Sequence, residues 1–335
     1  MEATMRSSAA GSGSAGAARD RRARSAGFSA LYRKELADHL RSARFYIVLA
    51  LLVLTSAASF SGALAGMQSA IQESPDFIFL KLFTTSGNSI PSFASFLAYM
   101  APVVGIVLGF DAISSERSQG TLNHLASQPI YRDTVILAKF AAGSTVILML
   151  SVSLGLMMSG LGLMTIGVPP EAEEIARALV YVAYSAIYMA LWLAIAMFFS
   201  VLCRHAATSA LISIAAWIYM TLFATMVAGV VANVIYPVSG IMGYENLLKN
   251  YALSMNLNRL SPYYLYIEAI STILNPNVRA LMIPTETAYS GAIAGYLSLD
   301  QSLMLIWPHL TTMAAATLLM FGIGYVKFMR QEIRA

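Results

Sequence analysis

The stretch Asp111–Arg132, DAISSERSQGTLNHLASQPIYR, is a polar interruption in a mostly apolar part of the chain. One long apolar run ends just before it, at Phe110, and the next begins just after it, at Val135. Pro129 ends any helix that the stretch forms. Because a bilayer-spanning helix needs about 20 apolar residues, this pattern is typical of two membrane spans joined by a loop. We therefore predict that the stretch lies at the membrane surface.

The composition of the whole chain supports a membrane protein. Of its 335 residues, 58% are hydrophobic and 11% are charged, whereas an average soluble domain is about 25% charged. A soluble protein needs polar residues to cover its outside, but a bilayer favours apolar residues there as well. The predicted fold class is an all-α polytopic membrane protein.

Six apolar runs are long enough to cross a bilayer. They are Phe45–Met67, Ser92–Phe110, Val135–Ile166, Val180–Leu202, Ala210–Ile235 and Ser302–Tyr325. We predict that they form one six-helix transmembrane domain over residues 45–325. Because the number of spans is even, both termini are expected on the same side.

The positive charges predict which side carries the termini. Of the 21 Lys and Arg residues, 16 lie in the segments that share the predicted side of the termini. Cytoplasmic loops carry an excess of Lys and Arg, so we predict a multi-pass protein of the plasma membrane with both termini in the cytoplasm.

The two ends of the chain are predicted to be cytosolic tails. Residues 1–27 are rich in Ala, Gly, Ser and Arg without apolar periodicity, which is typical of disorder. A targeting signal is the alternative, since Arg21 and Arg22 form a twin-arginine pair, but no short apolar core follows them. Residues 326–335 form the second tail.

The segment 28–44 has the periodicity of an amphipathic helix. Apolar residues recur at steps of three and four, and charged residues take the other face. The apolar residues are Phe28, Leu31, Tyr32, Leu36 and Leu40, and the charged residues are Arg33, Lys34, Glu35, Asp38 and Arg41. Such an interfacial helix suits the lipid of the inner membrane surface. The alternative is a solvated extension of the first span.

The longest predicted outer loop covers residues 236–300. Within it, Pro262–Leu274 is apolar but too short to span. We predict a re-entrant or interfacial helix pair that packs on the outer leaflet before the last span. Glu268 then lies at the membrane surface, with a simple solvated position as the alternative.

The sequence contains no common motif for catalysis or nucleotide binding. The phosphate loop G-x-x-x-x-G-K-[ST] is absent, as are H-E-x-x-H and G-x-S-x-G. One cysteine, Cys203, and four scattered histidines give no metal-ligand spacing. Because the spans hold almost no ionisable residues, a proton-driven carrier is disfavoured. We predict no enzymatic activity, no bound metal and no nucleic-acid partner.

Uncharged polar and aromatic residues within the spans are candidates for the lining of a path for an amphipathic or lipid-like cargo. They are Thr55, Ser59, Tyr99, Tyr184, Tyr188, Thr221 and Thr225. The alternative, which is the commoner role of such residues, is hydrogen bonding and aromatic packing between helices.

The segment Ser115–Phe140, SERSQGTLNHLASQPIYRDTVILAKF, carries a resemblance to a known family. It resembles the Glu-Arg, two residues, Gly-Thr-Leu, then Pro, basic residue and Lys of the permease subunits of ABC-2 type exporters. Arg33–Tyr46 is similar to the amphipathic opening of that family, and the closing YVKFMRQEIRA to its basic tail. The resemblance covers about Phe28 to the end and includes the branch that contains NosY.

The resemblance implies that residues 111–133 are a cytosolic coupling segment that docks on a separate ATPase. The coupling residues would be Glu116, Arg117, Gly120, Thr121, Leu122 and Leu125. A solvated loop whose charges only fix the topology is the alternative. The resemblance also implies two ATPase subunits that bind ATP and Mg, and a second permease copy, identical or related.

The implied function is ATP-driven export of a cargo by this permease subunit. The first alternative is a NosY-like accessory subunit that supports the maturation of a copper enzyme. The second is a membrane enzyme or structural protein without an ATPase.

Overall fold

A computed structural model describes residues 26–73, 76–87, 89–118, 131–167, 169–238, 243–277 and 297–331. Helices and short connections make up these ranges, which contain no β-strand. Residues 1–25, which are nearly all of the first predicted tail, and residues 332–335, the last four of the second, lie outside the described residues.

The helices are named in chain order. They are α1 (residues 26–41), α2 (Ala43–Glu73), α3 (Ile78–Thr84), α4 (Phe93–Gly109), α5 (Ser114–Ser118), α6 (Arg132–Ile166), α7 (Ala172–Leu202), α8 (Ala206–Ile235), α9 (Gly243–Asn258), α10 (Pro262–Leu274) and α11 (Leu299–Arg330).

The described ranges contain six helices that are long and apolar enough to cross a membrane, which confirms the predicted fold class. They are Ala43–Gln72, Phe93–Ser118, Arg132–Ile166, Ala172–Leu202, Ala206–Ile235 and Leu299–Arg330. We name one face of the bundle the loop face. It contains the last residues of α2 and α6, the first residues of α7, and the loop helices α9 and α10. The opposite face, where α5 meets the ends of α7 and α11, is named the terminal face.

The fourth span, α7, is the centre of the bundle. It contacts α4, α6, α10 and α11, and its aromatic residues Tyr181, Tyr188 and Trp192 are buried. Gly105 lets α4 approach it closely, because a Cβ at this position would lie 2.5 Å from the carbonyl oxygen of Met189. The aromatic face of α7 is therefore a packing face within this chain.

The helix α7 begins earlier than the apolar run predicted and takes charged residues into the membrane domain. Arg177, which lies between the predicted third and fourth spans, is fully buried. Its guanidinium donates to the carbonyl oxygens of Ile273 at 2.9 Å and Leu297 at 2.6 Å, and it pairs with Glu173. These bonds fix the end of α10 and the residues just before α11 to the fourth span.

The loop before the last span contains two helices, α9 and α10, and the segment Pro262–Leu274 that was predicted to form a helix pair is the single helix α10. Tyr266 of α10 stacks on Tyr188 at 4.4 Å between ring centroids, and its hydroxyl lies 2.7 Å from Ser185 Oγ. The solvated alternative for Glu268 is wrong, since this residue is only 8% exposed. Glu268 pairs with Arg259 and His309, so α10 is part of the bundle.

Candidate coupling site

The short helix α5 is held by the end of the fourth span. The hydroxyl oxygen of Ser200 accepts hydrogen bonds from the backbone N–H of Ile113 at 2.9 Å and of Ser114 at 3.0 Å. The first N–H groups of a helix have no partner within the helix, so a side chain that accepts from them fixes where the helix starts. Ser200 therefore sets the position of α5 against α7.

Arg117 ties α5 to two further helix ends. Its guanidinium donates to the carbonyl oxygens of Val201 at 3.3 Å and Cys203 at 3.4 Å and to the side-chain oxygen of Gln331. The carbonyl end of a helix carries partial negative charge, which a guanidinium stabilises. Arg117 therefore caps α7 and contacts the residue that follows α11.

Arg132, at the start of the third span, completes this junction. It donates to the carbonyl oxygens of Phe328 and Gln331, each at 3.0 Å. The side-chain nitrogen of Gln331 donates in turn to the carbonyl oxygen of Val201 at 2.9 Å. The residues at the ends of α5, α6, α7 and α11 are thus joined around one glutamine.

A buried ion cluster joins α5 to α6 and α1. Lys139 Nζ lies 2.9 Å from Glu35 Oε2 and 2.9 Å from Glu116 Oε1, and the lysine is only 7% exposed. Because a buried charge is costly unless it is paired, each of these side chains stabilises the others in place. We name this group the Glu35–Lys139–Glu116 cluster.

Glu35, the acid that α1 contributes to the cluster, is kept charged by the neighbouring lysines. Burial raises the pKa of the Glu35 carboxyl, but the ammonium groups of Lys139 and Lys34 outweigh burial and hold the pKa below its usual value. Glu35 is therefore a carboxylate at neutral pH. One turn further along α1, burial lowers the pKa of His39, and the nearby Glu35 opposes this effect.

The helix α1 packs along the third span. Leu31 packs on Val135 and Ala138, and the Tyr32 hydroxyl lies 3.0 Å from Thr145 Oγ1. One side of α1 thus packs on the third span, and the other side is left exposed.

One assignment on α1 is wrong in its position. The sequence placed Glu35 on the exposed charged face, whereas it is buried against Lys139. Arg33, Lys34 and Arg41 are exposed as predicted, and Leu36 packs against the main core. Periodicity could not place Glu35 because its partner lies 104 positions further along the chain.

The predicted coupling residues are described only in part. Glu116 and Arg117 lie in α5, where both make charge-assisted bonds to other helices of this chain. The resemblance implied contacts of these two residues with a separate ATPase, and that role stays a prediction. The remaining predicted residues, Gly120, Thr121, Leu122 and Leu125, lie outside the described residues.

The candidate cargo-path residues lie on four different spans. Ser59, Thr221, Tyr184 and Tyr188 are buried. Thr55 and Thr225 donate to carbonyl oxygens of their own helices, at Leu52 and Leu222. Tyr99 is 38% exposed and its ring lies 5.1 Å from that of Tyr263. These contacts are those of helix packing, and a role in a cargo path stays a prediction.

Comparison with known proteins identifies the family. A family model described as ABC-2 family transporter protein matches residues 29–333, which is most of the chain. The chain belongs to this family. An ABC-2 membrane subunit implies, in general, a separate ATPase and a paired membrane half.

Two curated relatives of this ABC-2 protein are each named probable ABC transporter permease protein NosY. The protein of Stutzerimonas stutzeri is 34% identical over 125 residues, which are 37% of this chain and 40% of the relative. The protein of Pseudomonas aeruginosa is 31% identical over 143 residues, which are 42% of this chain and 46% of the relative. The matched part of the chain thus spans less than half the length of these relatives.

Proposed function

We propose that this ABC-2 membrane subunit is the permease of an ATP-driven exporter. Two copies of a separate ATPase bind ATP and Mg and dock on the terminal face, which lies in the cytoplasm at the plasma membrane. A second permease copy completes the membrane part. The observation that carries the proposal is the Glu35–Lys139–Glu116 cluster, in which one buried lysine connects α1, the coupling segment and the third span.

The cluster allows movement of the coupling segment to reach the spans. Glu116 lies on α5, which is the first part of the coupling segment, and Lys139 lies on the third span. Breaking a buried ion pair costs about 3 to 5 kcal/mol, so a push on α5 is passed on before the pair separates. Arg117 and Ser200 pass the same movement to the fourth span.

The exposed side of α1 is proposed to rest on lipid. Arg33, Lys34 and Arg41 stay exposed when α1 packs on the third span. Basic side chains at the cytoplasmic surface are attracted to anionic headgroups by about 1 kcal/mol each. This attraction would hold α1 at the membrane surface, while Glu35 on its buried side would move together with Lys139.

The cargo is proposed to be amphipathic and to contact the sides of the spans that are not buried in the core. Thr55, Tyr99 and Thr225 are the candidate residues that keep exposed surface. Tyr184 and Tyr188 would reach a cargo only if α10 moved off the fourth span, since both rings stack on Tyr266.

The test is reconstitution with the ATPase of the same system. The tagged full chain is co-expressed with that ATPase, placed in lipid nanodiscs, and assayed for co-purification and for stimulated ATP hydrolysis. We expect Lys139→Met to retain the ATPase and to lower the stimulation several-fold. Lys249→Met, which removes an exposed positive charge from the loop face, is the matched control and is expected to behave as wild type.

Docking itself is tested by scrambling residues 119–125, which keeps Glu116 and Arg117 and their contacts with other helices. We expect the ATPase to be lost from the purified complex while the membrane domain stays folded. If the scrambled protein retains the ATPase as well as wild type does, the docking site is wrongly placed. Labelling of Ser118→Cys by an impermeant maleimide on intact cells, in a Cys203→Ala background, would contradict the cytoplasmic position of the terminal face.

The second candidate function is that of a NosY-like accessory, and the two NosY-named relatives favour it. In this case the ATP-driven movement would act on a maturation partner outside the membrane, and no cargo would cross. A copper protein or reductase encoded beside this chain, together with ATP hydrolysis stimulated by that partner, would support the accessory function over export.

A further inference from the structure

A cleft of about 210 Å³ lies between α3, α6 and α7. Its walls are almost entirely apolar. The side chains that shape it include Phe79, Phe83, Leu156, Ala178, Leu179 and Val182. The coupling site is at the other face of the protein and uses none of these residues.

The cleft lies at the depth of one leaflet. On α6 its lining runs from Val152 to Ser159, which is about 10 to 21 Å below the end of that helix at a rise of 1.5 Å per residue. On α7 it runs from Ile175 to Val182, about 5 to 15 Å from the start of the helix. In a hydrocarbon core about 30 Å thick, this is the half nearer the loop face.

The cleft is open toward the bilayer. Leu156 is 68% exposed and Leu179 is 64% exposed, and both lie on the outside of membrane spans. Its floor is a close contact, because a Cβ on Gly155 would lie 2.6 Å from Val182 Cγ2. Water is disfavoured in an apolar space, and empty space loses dispersion contacts, so a hydrocarbon chain is the best filling.

The charge at the mouth of the cleft selects among headgroups. Glu171 is exposed, precedes the first residue of α7 and follows Pro170, which lines the cleft. Its carboxylate caps α7 by accepting a hydrogen bond from the backbone N–H of Glu174. Glu173 is paired with Arg177, which is fully buried, and Glu174 is buried and accepts from the backbone of Phe79. The mouth is therefore acidic, which favours a cationic group and disfavours an anionic one.

We propose that this cleft holds one acyl chain of a phospholipid from the loop-face leaflet, with a primary ammonium headgroup of the ethanolamine type beside Glu171. A primary ammonium donates hydrogen bonds to a carboxylate, whereas the quaternary ammonium of a choline headgroup has no N–H to donate. The lipid is a resident of the site and not the transported cargo. The proposal requires only the membrane position of α6 and α7 and does not depend on export.

The experiment uses the full chain in nanodiscs with a phosphatidylethanolamine that carries a photoreactive group in its acyl chain. We expect crosslinks on residues 152–159 and 175–182, and competition by unlabelled phosphatidylethanolamine but not by phosphatidylcholine or phosphatidylglycerol. Glu171→Gln, which keeps an oxygen to accept from the backbone, is expected to remove this preference and to leave the crosslinked residues unchanged.

Filling the cleft tests its shape. We expect Ala178→Phe to lower crosslinking at these residues several-fold, and Ala315→Phe, at an exposed position of α11, to have no effect. Ser159→Leu is a second variant that fills the cleft from α6, and it is expected to lower crosslinking as well. With two independent variants, misfolding of one does not decide the result. Undiminished crosslinking in both filled variants, equal competition by all three lipids, or crosslinks between two copies of the chain at these residues would each overturn the proposal.

Discussion

His309 Nε2 lies 2.7 Å from Glu268 Oε2, and this contact joins the last span to the loop helix α10. Arg259 holds the same carboxylate through bonds of 2.7 and 2.9 Å. Burial raises the pKa of Glu268, but the bonds from His309 and Arg259 outweigh it and leave the pKa below its usual value. Glu268 is therefore charged at neutral pH, and it fixes the loop helices to the bundle.

Replacing His309 tests this contact. We expect His309→Leu to destabilise the protein by about 2 kcal/mol, because a buried carboxylate loses one of its donors. Hydrogen exchange of α10 and thermal unfolding in detergent would show the loss. His309→Gln keeps a donor and is expected to restore most of the stability. Equal exchange rates in wild type and His309→Leu would contradict a fixing role.

The buried cluster predicts an order of stabilities among its variants. We expect Lys139→Met to cost about 3 to 5 kcal/mol, because Glu35 and Glu116 lose their buried partner. The triple variant Glu35→Gln, Glu116→Gln, Lys139→Met has no unpaired charge, so we expect it to unfold at a higher temperature than the single variant. The reverse order would show that Glu35 and Glu116 are not destabilised by the loss of the lysine.

His39 predicts a dependence of stability on pH. Its folded pKa lies below the usual value of 6.5 because of burial, so the unfolded chain binds a proton more readily than the folded chain. The contribution of His39 to stability is then fully present above about pH 6.5 and is lost as the pH falls below this value. We expect the melting temperature of His39→Gln to change less than that of wild type between about pH 7.5 and 5.5. Parallel curves for the two proteins would refute the assignment.

Two glycines predict opposite effects of the same substitution. A Cβ on Gly105 would lie 2.5 Å from Met189 O, whereas a Cβ on Gly322 meets nothing within 4 Å. We expect Gly105→Ala to destabilise by about 1 to 3 kcal/mol through overpacking. Gly322→Ala is expected to stabilise by about 0.5 to 1 kcal/mol, since alanine favours the helix. Thermal unfolding of both variants measures the difference, and a neutral Gly105→Ala would mean that α4 and α7 can separate at low cost.

The spans could be predicted from the sequence because each is a local property of one apolar run. The helix α3 was missed, since Ile78–Thr84 is too short to stand out and is buried only through contacts with distant residues. The early start of α7 was missed for a similar reason. Arg177 and Glu174 look like loop charges until their partners at Ile273, Leu297 and Phe79 are known.

The candidate coupling site shows the same limit. The motif at Glu116 and Arg117 could not predict the contacts of these residues, which are with residues that no spacing rule connects to them. Lys139 is only the final Lys of the family pattern in the sequence, whereas in the structure it is the centre of the cluster. Long-range ion pairs depend on the packed fold, so they appear only when the helices are placed together.

The fifth span contains one turn of π-helix, Tyr219–Phe223, and Ser261 donates its hydroxyl to the carbonyl oxygen of Met220 in that turn. A π turn holds one residue more than a turn of the regular helix, so removing a single residue there would restore a regular helix and leave the residues beyond it facing the same way. Asn233 would then keep its direction toward Asn250 of α9, to which it is bonded. The extra residue thus gives Ser261 a backbone carbonyl to bind without turning the second half of this span.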